Sequence, residues 1–169
     1  EHFKNHKHIE VVMVLSNKKK AGVLDIAQEH HIASTVFNRT EFYESDTVVN
    51  LLKSEQIDLI VLAGFLWLIP ASLIKAFPRK IINIHPALLP KFGGKGMYGM
   101  HVHRAVKANS EKESGITIHY VNEAYDEGQI IFQKSVDLDA EDSAEMIRSK
   151  VLQLEHAYFP KTIEGVLSF

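Results

Sequence analysis

The sequence predicts an α/β fold: an open, mostly parallel sheet with helices on both faces. Three observations carry this reading. Short apolar runs alternate with stretches of helical spacing up to about Ile84. Several of those runs are apolar throughout, as strands covered on both faces are. After Ile84, two strand-like runs follow in succession, which gives the sheet a different edge. The strand–helix alternation makes the pattern Rossmann-like.

Each element has its own signal. "IEVVMVLSN" (9–17) reads as a doubly buried strand ending in turn residues. "KAGVLDIAQEHH" has helical spacing at Val23, Ile26, Ala27 and His30. "IASTVF" is a second short strand, and "DTVVNLLKSEQ" a helix with Val48, Leu51 and Leu52 on one side. "IDLIVLAGF" is the strongest strand, and the Pro of "PASLIKAF" opens a helix. "KIINIH" is the next strand and "HVHRAVKANS" the next helix. "GITIHYVN" and "GQIIFQKSVDL" are strands joined by "EAYDEG". One long helix closes the chain. Asp142 and Glu145 resemble a capping box, and Ile147, Val151, Leu154 and Tyr158 form the stripe. There are no repeats, linkers or low-complexity segments, so residues 1–169 read as one domain.

Bulk composition narrows the function classes. Of 169 residues, 46% are hydrophobic and 24% charged, with a net charge of -2. That balance gives no basic field for nucleic acid and no apolar run for a membrane. With no cysteine, disulfides, thiolate metal sites and a Cys nucleophile are excluded, which suits a reducing cytoplasm. His101 and His103 form a His-x-His pair. On a helix that spacing does not put both rings on one face, and no further ligand set accompanies them, so no metal is expected.

The stretch "IINIHPALLPKFGGKGMYGMH" holds the first chemical candidates. Asn83 and His85 are two apart in a strand, so they share a face at its carboxyl end, the edge where α/β sheets bind ligands. Pro86 keeps His85 extended. An amide donor beside an imidazole suits an acyl carbon under attack. From this pair alone, a strand-end amide and a hydrogen-bonded core histidine are the slightly better account. Asp126 of "YDEG" is ordinary turn chemistry, unless it folds back onto His85, where it would favour the imidazolium. "LAGFLWLIP" reads as core or as an apolar wall for a flat aromatic ligand.

"NIHPALLPKFGG", "HVHRAV", "GITIHYV", "YDEGQIIFQ" and "LEHAYFP" together resemble the phosphoribosylglycinamide formyltransferase family, from about Ile9 to the C-terminus. The resemblance implies the formyltransferase fold and transfer of a formyl group from 10-formyltetrahydrofolate, a co-substrate, to the amine of glycinamide ribonucleotide. It implies catalytic roles for Asn83, His85 and Asp126. It implies folate contacts at Leu62, Phe65, Leu66, Ile69, His119, Val121, Asn122 and Glu123, and nucleotide contacts at Gly64, Pro86 and Glu155. Small-molecule partners, a monomer or homodimer, and a cytoplasmic setting follow from it. The 91–100 loop is longer than the family's common form, and Trp67 stands where many members carry a charge.

Rival readings are formyltetrahydrofolate deformylase, methionyl-tRNA formyltransferase and a non-catalytic folate or nucleotide-binding module. The first usually has an extra N-terminal domain, and the second a basic C-terminal one. Members of the family open with a strand, a glycine-rich phosphate loop and a helix. "EHFKNHKHIE" resembles only the end of that helix. The expectation is that the real polypeptide starts earlier than Glu1.

Overall fold

The computed structural model describes residues 1–168, which fall into two compact units, 1–58 and 59–168. In the first unit, β1 (Met13–Ser16) pairs in parallel with β2 (Ala33–Val36), with Met13 opposite Ala33. The connection is α1 (Gly22–Glu29), which packs on both strands. Only Ala27 of its expected stripe is buried; Val23 and Ile26 are exposed, as are Val11, Val12 and Val36. The first strand is therefore not doubly buried as expected.

In α3 (Thr47–Ser54) Val48, Val49 and Leu52 are buried. Phe37 and Phe42 stack at 5.1 Å. Phe42 belongs to α2 (Arg39–Tyr43), a short helix absent from the sequence expectations. Its signal was present: Asn38 and Glu41 form a reciprocal capping box, with Asn38 Oδ1 accepting from the Glu41 N–H at 2.9 Å.

The second unit holds a sheet in the order β3 (Ile60–Leu62), β4 (Ile81–His85), β5 (Glu113–Tyr120), β6 (Ile130–Asp137). β3 and β4 are parallel, joined through α4 (Ala71–Ala76); β5 and β6 are antiparallel additions. The different edge read from the sequence is this antiparallel pair. The expectation that β1, β3 and β4 share one sheet does not hold. β1 directs its ladder to β2 and β3 directs its ladder to β4, so the described strands form two sheets. The fold class is α/β, with a mixed larger sheet.

β5 is central, and Ser114 to His119 are all buried. Ile84, Val102, Val106, Ile116, Ile118, Ile147 and Val151 form one core. They come from β4, β5, α5 (Met100–Ala108) and α6 (Ala144–Leu167). Burying each such side chain is worth about 1.5–3 kcal/mol. Leu154 and Tyr158 extend the α6 stripe as the spacing predicted, with Tyr158 stacked on Phe132 at 5.2 Å. The α6 cap differs from expectation. Ser143 accepts the Met146 N–H at 3.1 Å, while Asp142 is buried and accepts from Lys150 Nζ at 2.5 Å and the Asp139 N–H at 2.8 Å. No described helix is long and apolar enough to cross a membrane.

Candidate active site

Alternation along β4 buries Ile82 and Ile84 on one face and turns Asn83 and His85 to the other. The register with β5 sets Asn83 opposite His119 and His85 opposite Thr117. Facing residues in an antiparallel pair lie close enough for side-chain contact. An irregularity in the β5–β6 pairing falls at Ile118/His119, beside this position.

The polar groups satisfy one another in a defined order. The Tyr120 carbonyl lies 2.9 Å from His119 Nδ1 and can only accept, so that nitrogen carries the proton. His119 Nε2 then accepts from Asn83 Nδ2 at 3.1 Å. Asn83 Nδ2 also lies 3.5 Å from Asp126 Oδ1, a long hydrogen bond. His85 Nε2 donates to the Phe92 carbonyl at 2.7 Å. His85 Nδ1 faces Asp126 Oδ2 at 3.4 Å. The same oxygen accepts the Gly94 N–H at 3.0 Å. Asp126 adopts φ +57, a left-handed conformation that Asp tolerates better than most residues.

His85 is 4% exposed. Burial pushes its pKa below the ordinary value, against the opposing pull of Asp126 and the Phe92 carbonyl. Burial alone would raise the Asp126 carboxyl. His119 and His85, each in its doubly protonated form, and the Gly94 N–H outweigh it, and its pKa lies below the usual carboxylate value. At neutral pH the pair therefore rests as carboxylate and neutral imidazole. A proton arriving at His85 Nδ1 meets a carboxylate already in place.

Beside these groups is a cleft of about 50 Å³. Of the residues expected at a folate site, Leu62, Phe65, Ile69, His119, Val121 and Asn122 line it, together with Asn83 and Asp126. Leu66 is exposed and, like Glu123, is not part of the lining. Trp67 and Leu68, within the stretch read as core or an apolar wall, also line it, as do Ala124 and Tyr125 of the 121–126 loop, none of them singled out individually from the sequence. The cleft is far below the roughly 300–1,000 Å³ typical of ligand pockets. A larger cavity of about 240 Å³, walled by Leu88, Leu89, Phe92 and Val106, has none of Asn83, His85 or Asp126 in its lining.

The expected nucleotide residues are more scattered. Gly64 follows β3 with φ +67 and Pro86 follows His85; neither lines the cleft. Glu155 is half-buried on α6, and burial raises its carboxyl pKa against His156 and Arg148. Among the described residues no hydrogen bond or ion pair joins it to Asn83, His85 or Asp126. His101 is exposed and His103 buried, as the helical spacing predicted. Among the described residues no group of three His, Cys, Asp or Glu could hold a metal ion.

The formyl transferase family pattern matches residues 1–163. The chain is 41% identical over 162 residues to the chloroplastic phosphoribosylglycinamide formyltransferase of Arabidopsis thaliana, covering 93% of this chain and 56% of that protein. It is 36% identical to the phosphoribosylglycinamide formyltransferase of Bacillus subtilis (strain 168), covering 92% and 79%. The crystal structure of that enzyme from Bacillus halodurans superposes with a TM-score of 0.84 at 35% identity, covering 95% of this chain and 82% of that one. The chain spans just over half the length of the plant relatives. A match over residues 1–163, with the shared architecture, shows that this chain belongs to the formyl transferase family.

Proposed function

We propose that the chain transfers a formyl group from 10-formyltetrahydrofolate to the amine of glycinamide ribonucleotide; its relatives are named phosphoribosylglycinamide formyltransferase. One observation carries the reading: an amide, an imidazole and a carboxylate meet beside an apolar cleft at the end of β4.

The chemistry fits those groups. The amine nitrogen bonds to the formyl carbon, and charge grows on the formyl oxygen. The Asn83 amide can turn a hydrogen toward that oxygen, and a protonated His85 adds positive charge beside it while its two N–H groups stay on the Phe92 carbonyl and Asp126. Asp126 stabilises the imidazolium and takes part in moving the amine's proton. The bond from the formyl carbon to the folate nitrogen then breaks, and that nitrogen gains a proton. Neither oxidant nor metal is needed for the balance.

Leu62, Phe65, Ile69 and the 121–126 loop form the folate wall in this reading, with Leu66 and Glu123 at its margin. Gly64, Pro86 and Glu155 lie toward the nucleotide. We assign the reaction to the cytoplasm, and the protein acts as a monomer or homodimer. The test is formation of formylglycinamide ribonucleotide from both substrates. Release of formate without need of the amine would make the chain a hydrolase instead. Binding of either ligand with no turnover would make it a binding module.

A further inference from the structure

Six described non-glycine residues have positive φ: His31, Gln56, Arg79, Phe92, Ser110 and Asp126. Three have an ordinary explanation. His31, Gln56 and Ser110 each follow the C-cap of a helix, α1, α3 and α5, where one left-handed residue ends the helix. Two belong to the site: Phe92 supplies the carbonyl that holds His85, and Asp126 faces it. Arg79 is neither.

Arg79 sits in the turn that follows α4. The Lys80 N–H donates to the Phe77 carbonyl at 3.1 Å, so residues 77–80 form a β-turn. Pro78 occupies its second position and Arg79, with φ +56, its third. That is the type II pattern, whose third position favours Gly or Asn. A side chain kept in a disfavoured backbone conformation points to work done by that side chain.

The contacts show what it holds. Arg79 Nη1 donates to Gln129 Oε1 at 2.8 Å, and the guanidinium carbon lies 4.5 Å from the centre of the Tyr120 ring. Tyr120 and Gln129 flank the 121–128 loop, and the Tyr120 N–H donates to the Gln129 carbonyl at 2.9 Å. The loop carries Asp126. The Tyr120 carbonyl fixes the tautomer of His119. A single guanidinium thus grips both ends of the segment that delivers the carboxylate.

We propose that Arg79 is a positioning residue: it clamps the neck of the 121–128 loop and so sets where Asp126 stands relative to His85. This deepens the formyl-transfer reading and rests on it for its catalytic consequence. The clamp itself is a property of the free protein.

The test is amide hydrogen exchange of residues 121–128 in the wild type, Arg79→Ala, Arg79→Gly and Arg79→Lys, with steady-state formyl transfer alongside. A cation–π contact and a charge-assisted hydrogen bond together predict roughly 10-fold faster loop exchange in the Ala and Gly variants. Lysine keeps a charge over the ring without the planar fork, so it should fall between. kcat should drop with exchange, by about the same factor, and KM for the formylfolate should rise less. Arg79→Gly is the decisive variant, because glycine suits the turn and its thermal midpoint should not fall below wild type. Wild-type loop exchange in Arg79→Gly would overturn the proposal and reduce Arg79 to a turn residue. Exchange needs no substrate, so it decides the clamp even in a chain that transfers no formyl group. That second result would sink the functional reading alone.

Discussion

His85 Nδ1 lies 3.4 Å from Asp126 Oδ2, although His85 ends β4 and Asp126 sits in the loop beyond β5. The contact opposes burial: the carboxylate pulls the imidazole toward protonation while desolvation pushes it the other way. Its charge is the handle for the first prediction.

Asp126→Asn keeps the shape and removes the charge. The His85 pKa should then fall further, because its main raising influence is gone. Less imidazolium exists at neutral pH, so turnover should drop and the limb that depends on protonated His85 should move to lower pH. A pH–rate profile and an NMR titration of His85 check this together. An unmoved His85 titration would mean that the 3.4 Å contact is electrostatically idle.

Asn83→Ala and His85→Ala should lower kcat by about 10²–10³ each, the usual cost of one oxyanion donor, with much smaller changes in KM. Near-normal kcat in either variant contradicts the assigned roles. Asn83→Ala also removes the donor to His119 Nε2, so His119→Ala combined with it should be less than additive.

Gly128→Ala should be severe. A Cβ there would stand 1.6 Å from the Tyr120 carbonyl oxygen, which is backbone and cannot swing aside. The same carbonyl holds His119 Nδ1. We expect a loss of about 3 kcal/mol or more, at the upper end of single substitutions, with activity falling alongside. Chemical denaturation gives the measurement, and a midpoint within error of wild type would refute the clash.

His103 gives a stability signature in acid. Burial, with Arg148 and His85 adding, pushes its pKa from 6.5 to about 4. The folded pKa is depressed, so the unfolded chain binds the extra proton first. Stability is present above the unfolded pKa and is lost as pH falls from 6.5 toward 4. At about 1.4 kcal/mol per unit, the loss is on the order of 3 kcal/mol. Replacement by the neutral His103→Gln should flatten that stretch of the stability curve, read from urea midpoints. An equally steep curve in the variant would assign the loss to other groups.

The strand and helix register was legible in the sequence because periodicity is a local property. Alternation placed Asn83 and His85 on one face, and the spacing of Ile147, Val151, Leu154 and Tyr158 drew the buried stripe of α6. The candidate triad was named through a resemblance of motifs, not through spacing. Residue types and spacing alone left Asn83 and His85 as a strand-end amide and a core histidine.

Tertiary structure decided the rest. The antiparallel register of β4 with β5 sets His119 against Asn83, and a left-handed backbone at Asp126 turns the carboxylate back onto His85. Trp67, Leu68, Ala124 and Tyr125 line the cleft only because two segments far apart in sequence meet there. Ser143 took the helix cap and left Asp142 to Lys150, a choice set by which oxygen reaches the Met146 N–H. Local preference fixes where a side chain points along its own strand or helix. Which groups it then meets depends on contacts between distant segments, and those are decided by the folding of the whole unit.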